Sequence, residues 1–256
     1  MEERVQIANK KNLKLSAVFH YPGKAVTYPA VILLHGFSGS KDEEHIKTLA
    51  YDLHKKGIAA VRFDMSGLGE SEGSLEEDYR FSNFLLDIDA IYQMLASQVF
   101  IDHKSIGIVG HSMGGKAALI YAASNPAVRS VCAISSPSQM GDAAAFKNDL
   151  AQWKATGWLD RKSSQYGFLS FPYAFIKDAM KYDVRKIARS IGQPKLIIWG
   201  TADDTVLPSE TEELYDFLDE PKEAMIVKGM DHHYKDDPNL VNNVNKKVVS
   251  FFKETL

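Results

Sequence analysis

The chain has 256 residues, 45% of them hydrophobic, enough for a single α/β domain, 1–256, to bury a sizeable core. Thirty basic residues against 33 acidic ones leave a net charge of −3, which gives no electrostatic reason to expect a nucleic acid or an anionic membrane as partner and points to a small molecule. The start, Met-Glu-Glu-Arg, lacks the order of a signal peptide, no apolar run nears the roughly 18 residues that cross a bilayer, and Cys132 stands alone in an apolar run; we expect a cytoplasmic protein with a buried structural thiol and no internal disulfide.

In chain order, residues 5–7 and 13–20 predict an edge hairpin turning through residues 8–12, with Pro22-Gly23 as its stop. Residues 29–34 are a continuous apolar run, as in a strand covered on both faces, and empty into His35-Gly-Phe-Ser-Gly-Ser40. Ile46, Leu49, Ala50 and Leu53 fall at helical spacing within 41–56, and Gly57 stops that helix. A strand over 58–63 ends at Asp64, which is expected to hold backbone N–H groups of its own loop. Gly67-x-Gly69 opens like a dinucleotide fingerprint, but the third glycine is misplaced and Glu70, Glu72, Glu76, Glu77 and Asp78 would crowd a pyrophosphate. Residues 81–98 predict a helix with Phe84, Leu85, Ile88, Ile91 and Leu95 on one face.

Residues 105–119 are the stretch on which the rest is organised: a short apolar strand, then Gly110-His-Ser-Met-Gly114, then a helix start. Ser112 falls at a sharp strand-to-helix turn, tolerated because Gly110 and Gly114 lack a Cβ, and the helix N-terminus points at its hydroxyl. Two other readings compete. Gly110-x4-Gly115-Lys116 matches a phosphate-binding loop until Ala117 replaces the Ser or Thr that would hold magnesium, and a glycine-rich turn can be only a turn.

After a strand at 128–135 the alternation of strand and helix breaks. Residues 137–190 hold nine aromatic residues among 54, against 11% overall, and read as a cap of helices and loops in which most rings glue the cap to the body and two or three line a cavity. Alternation resumes with a strand at 194–199, a helix at 209–218, a strand at 224–227 and a closing helix at 239–252. The fold class is α/β: a mostly parallel eight-stranded sheet flanked by helices, with the cap after the sixth strand.

Ligands of open parallel sheets bind at the carboxyl ends of the strands. The residues there are His35-Gly-Phe37, Asp64, Ser112, the pair Asp203 and Asp204, and the pair His232 and His233. A serine hydroxyl needs a base to become nucleophilic, and an imidazole base needs a carboxylate to fix its tautomer, so one strand end supplies each role.

With His35-Gly-Phe-Ser, Phe63-Asp-x-x-Gly-x-Gly-x-Ser71, Gly110-His-Ser-Met-Gly114, Gly200-Thr-Ala-Asp203 and Gly229-Met-Asp-His232, the chain resembles the α/β-hydrolase family over nearly its whole length. It looks most like the small capped bacterial esterases that include feruloyl (cinnamoyl) esterases, with monoacylglycerol lipases and proline-iminopeptidase-like enzymes close by. The resemblance implies Ser112 as nucleophile, Asp203 as acid, His232 as base, and backbone N–H groups of Phe37 and Met113 as the oxyanion hole. Spacing from Pro208 favours Asp204 as the acid and spacing from Gly200 favours Asp203, on which we settle. The other six histidines precede the acid and are excluded as base by the family order, with His35 and His111 shaping their loops.

No metal is implied: a site made from His232, His233, Asp236 and Asp237 would leave the serine without a base, and no cofactor is implied either. The implied activity is hydrolysis of a small-molecule carboxylic ester, with an aryl or apolar acyl group, through an acyl-enzyme on Ser112. Cleavage of monoacylglycerols or of amides, a non-catalytic receptor on the same fold and a nucleotide binder are the alternatives. One sequence does not fix the oligomeric state, a homodimer being one option.

Overall fold

The computed structural model describes residues 1–23, 25–163 and 165–256. Strands β1 (Glu2–Ala8), β2 (Lys14–His20) and β3 (Tyr28–Leu34) precede helix α1 (Glu44–Lys55). Then follow β4 (Ala59–Phe63), α2 (Phe81–Ser97), β5 (Ile101–His111), α3 (Met113–Ser124) and β6 (Ser130–Ile134). The next segment carries α4 (Ala144–Lys147), α5 (Leu150–Thr156), β7 (Trp158–Ser163), β8 (Gly167–Pro172), α6 (Tyr173–Ala179) and α7 (Val184–Ile187). The chain closes with β9 (Lys195–Gly200), α8 (Pro208–Phe217), β10 (Lys222–Val227) and α9 (Pro238–Thr255).

Eight strands form one sheet in the order β1-β2-β4-β3-β5-β6-β9-β10, parallel except that β2 runs against both β1 and β4. The period of two along β3 divides its side chains between two apolar layers: Ala30, Ile32 and Leu34 face α2 and α3, while Val31 and Leu33 face α1 and α9. Both faces are covered, which is why the central strands read as unbroken apolar runs. From β3 the chain moves to one side as β4 and to the other as β5. Strand order therefore reverses between β3 and β5, the point where open parallel sheets open a crevice at their carboxyl ends.

Between β6 and β9 the expectation of helices and loops is incomplete, because β7 and β8 pair as an antiparallel hairpin. Its signal was a period of two, with Trp158, Asp160 and Lys162 exposed and Leu159 and Arg161 turned inward. Aromatic residues inserted without one spacing hid that alternation. Asp64 holds the loop after β4 as expected, accepting from the Glu70 N–H at 3.1 Å; in addition the buried Lys41 ammonium bonds Asp64 and Glu70, both at 2.7 Å. Cys132 is fully buried, and burial raises its thiol far above the usual range. Among the described residues no helix is long and apolar enough to cross a membrane.

Burial shifts several groups toward their uncharged forms. His45 is pushed down to about 4 by burial, and His20 to about 4 by burial and then by the Arg62 guanidinium. Asp87 is raised to about 6 by burial, against hydrogen bonds from Ser66 and Asn9. Below 6.5 the unfolded chain takes up protons on these two histidines that the folded chain refuses until about 4, so stability is lost across that window. Asp87 works in the opposite sense between about 6 and 3.8, since the folded carboxyl takes its proton first. Two histidines outweigh one aspartate: the unfolding free energy measured in urea should fall by on the order of 3 kcal/mol from about pH 6.5 to about pH 4.5, and His45→Leu should flatten part of that slope. Stability that rises toward acid would contradict this.

Candidate active site

Ser112 is the residue between the end of β5 and the first turn of α3, with φ 55° and ψ −121°, a conformation that costs an L-residue strain. The turn closes only because the two flanking glycines let backbones touch. A Cβ on Gly110 would lie 2.2 Å from the Gly114 carbonyl carbon, and one on Gly114 would lie 2.5 Å from the Leu34 carbonyl oxygen at the end of β3. The Ser112 N–H donates to the Ile134 carbonyl of β6 at 2.8 Å, which ties the turn to the neighbouring strand.

Three strand ends meet here. His232 Nε2 lies 3.0 Å from Ser112 Oγ, and His232 Nδ1 lies 2.9 Å from Asp203 Oδ2 and 3.1 Å from Oδ1. Since a carboxylate only accepts, Nδ1 carries the hydrogen and Nε2 is left to accept from the serine. Asp203 also accepts from the Thr205 and Val206 N–H groups at 3.0 and 2.9 Å. Burial alone would raise its carboxyl, but the His232 hydrogen bond and these backbone donors outweigh burial and hold it below the usual range. Asp203 is 3% exposed, whereas Asp204 stands in solvent and its carboxylate meets the Thr205 hydroxyl at 3.2 Å.

The loop after β3 runs beside the serine, since a Cβ on Gly36 would lie 3.3 Å from Ser112 Cβ. Buried His35 shapes it: Nδ1 meets the Gly36 carbonyl at 2.8 Å and Nε2 accepts from the Met65 N–H at 3.1 Å. His111 Nε2 donates to the His232 carbonyl at 3.1 Å. Among the described residues, neither the Phe37 nor the Met113 backbone N–H has a hydrogen-bond partner in the chain, and Met113 opens α3, where the helix dipole is positive.

Aromatic residues brace that loop. The Phe37 ring lies 4.3 Å from Phe171, 5.0 Å from Phe175 and 5.2 Å from Phe146, all from the insert between β6 and β9, and the Ser38 N–H donates to Tyr79 Oη at 3.0 Å. Ser163 of the hairpin donates to the Ser38 carbonyl at 2.9 Å. A cavity of about 480 Å³ opens on Ser112 and His232, with one wall from Phe37, Met140, Ala143, Ala145, Phe146 and Val206. Among the described residues of the insert, Phe146 is the only aromatic one that lines this cavity, fewer than the two or three expected; Trp153, Phe171 and Phe175 are fully buried and serve packing.

Sequence reasoning missed Glu43 and Lys235. They pair across the same cavity, and a partner 192 residues away leaves no local signal. Among the described residues no group of three or more His, Cys, Asp or Glu is placed to hold a metal ion.

Comparison with known proteins places the fold. A family model described as the alpha/beta hydrolase fold matches residues 29–162. The lysophosphatidylserine lipase ABHD12 of Danio rerio is 28% identical over 202 residues, 77% of this chain and 49% of that protein, so the chain spans about half the length of this curated relative. Among solved structures, the alpha/beta hydrolase GrgF from Penicillium sp. sh18 superposes with a TM-score of 0.84 at 15% identity, covering 100% of this chain and 99% of that one. Est1E from Butyrivibrio proteoclasticus with ferulic acid bound gives 0.79 at 22% identity, covering 98% of both chains.

Because the Gly110 contact is backbone against backbone, Gly110→Ala cannot be absorbed by a side-chain rotation. Thermal unfolding should show a loss of several degrees or failure to fold, while Gly157→Ala, whose Cβ meets nothing within 4 Å, should cost far less despite its φ of +82°. Equal melting temperatures for the two variants would contradict the close approach.

Proposed function

The chain belongs to the α/β-hydrolase fold family, and on that premise we propose that it is a serine-dependent carboxylic ester hydrolase. The observation that carries the reading is the unbroken hydrogen-bonded line from Ser112 through His232 to Asp203.

Ser112 Oγ attacks the ester carbonyl carbon as its proton passes to His232 Nε2. The carbonyl oxygen takes up the negative charge and is met by the Phe37 and Met113 N–H groups, which cost nothing to reorganise because the fold already holds them without partners. Asp203 keeps His232 in the required tautomer and stabilises the imidazolium. As the tetrahedral intermediate collapses, the C–O bond to the alcohol breaks and His232 returns its proton to the leaving oxygen. Water then repeats the sequence: its oxygen bonds the acyl carbon as His232 removes its proton, the acyl–serine bond breaks, Ser112 Oγ takes the proton back from His232, and the acid leaves. His232 works as a base only while neutral, so turnover has an acid limb.

The wall of Phe37, Met140 and Phe146 favours an aryl or apolar acyl group, and Est1E, of the same fold, binds ferulic acid. A panel with one alcohol and acetyl, hexanoyl and feruloyl acyl groups, run beside a monoacylglycerol and an aminoacyl anilide, places the preference.

Ser112→Ala should remain folded by circular dichroism and abolish hydrolysis of a p-nitrophenyl ester. Asp203→Asn should lower kcat by roughly a thousandfold or more, because the amide favours the wrong tautomer, while Asp204→Asn should stay within about twofold. Activity surviving in Ser112→Ala, or a larger loss in Asp204→Asn than in Asp203→Asn, would refute the assignment.

A further inference from the structure

The loop after β3, which carries Phe37, and the loop after β10, which carries His232, leave the sheet from strands four places apart, with β5, β6 and β9 between them. At about 4.8 Å per strand their roots stand roughly 19 Å apart. Ladder hydrogen bonds fix the strands but not the separation of the two loop tips. Yet Ser112 chemistry needs the oxyanion donor and the base within a hydrogen bond's reach of one substrate carbon.

An ion pair spans that gap. Glu43, the residue before α1, bonds Lys235, which lies three residues past His232 in a short 3₁₀ turn. The two side chains are 6% and 19% exposed, so solvent screens the attraction little. Both line the cavity that holds Ser112. The Glu43 carboxylate is pressed against the loop it serves: a Cβ on Gly39 would lie 2.5 Å from Glu43 Oε2, and Gly39 donates to the Gly36 carbonyl at 3.2 Å, bracketing Phe37. Burial pushes the Glu43 carboxyl upward, while the Lys235 ammonium and its hydrogen bond act against this, and the carboxyl stays below the usual range.

We propose that Glu43 and Lys235 are positioning residues, an ionic clamp that sets the distance between the oxyanion loop and the base loop. This rests on the serine-hydrolase reading above. Neither residue touches the reacting atoms; each acts through the loop it anchors, and a displacement of about 1 Å at such a loop can cost up to a hundredfold in rate.

The clamp has an electrostatic signature that packing alone lacks. His232 is faced by Asp203 from the loop after β9, by His111 from the end of β5, by His233 from its own loop, and across the shared cavity by Lys235, Asp236 and Glu43, with His45 packed on the far side of His111. Lys235→Met makes the cavity wall more negative by one charge, so the acid limb of turnover should move to higher pH. Glu43→Gln makes the same wall more positive by one charge, so the limb should move to lower pH.

The test compares Glu43→Gln, Lys235→Met, the double variant and Lys235→Arg on a p-nitrophenyl ester across pH, each with a thermal unfolding curve. Each single variant should lower kcat about tenfold or more with KM within about threefold, the two limbs should move in opposite directions, and the double variant should lose no more than the worse single. Lys235→Arg, which keeps the cation, should recover most of the rate. Folded single variants within twofold of wild-type kcat, losses that multiply in the double variant, or limbs that stay in place would each overturn the clamp. If Lys235→Met does not fold, Glu43→Gln and Lys235→Arg decide by the same readings. Turnover surviving in Ser112→Ala would instead refute the serine reading beneath it.

Discussion

Everything at the carboxyl end of this sheet depends on one close approach of backbone to backbone. The Gly110 and Gly114 backbones pass so near each other, and Gly114 so near the end of β3, that neither position has room for a Cβ. That contact over-determines the turn between β5 and α3, and the strain at Ser112, φ 55°, persists because relaxing it would pull β3, β5 and α3 apart. The hydroxyl is thereby held out of the sheet, at the positive end of a helix and at the crevice where strand order reverses.

Around that fixed point several buried charges hold loops in place. Asp203 holds the loop after β9 and the His232 ring, Lys41 and Asp64 hold the loop after β4, and Glu43 and Lys235 join the loops after β3 and β10. A buried ion pair gains little stability over an apolar pair of the same volume, so its placement in loops is better explained by the geometry it enforces. The insert between β6 and β9 adds an apolar brace, with Phe171 and Phe175 buried on the Phe37 ring so that the loop after β3 and the cavity wall form one packed unit.

Much of this was legible in the sequence because parallel strands buried on both faces announce themselves as apolar runs, and whatever follows each run is delivered to one rim. Ser112, Asp203 and His232 all sit at such ends, and the structure brings them together. For Asp203 and Asp204 the two spacing arguments, from Gly200 and from Pro208, point opposite ways; burial and the 2.9 Å contact with His232 separate the two carboxylates by a different criterion. The β7–β8 hairpin was hidden by rings that obeyed no single period. Glu43 and Lys235 were invisible for a different reason, since a pair 192 residues apart is created by the topology and written in no local pattern.

The central claim is that the Ser112 hydroxyl is nucleophilic because His232 and Asp203 make it so. Intact-mass and peptide analysis after exposure to a fluorophosphonate, which reacts with activated serines, tests it most directly. The account predicts one adduct, on the peptide containing Ser112, that forms rapidly in the native chain and is strongly slowed when His232 is replaced by glutamine. An adduct confined to another serine, or labelling of Ser112 at the same rate with and without the imidazole, would contradict it.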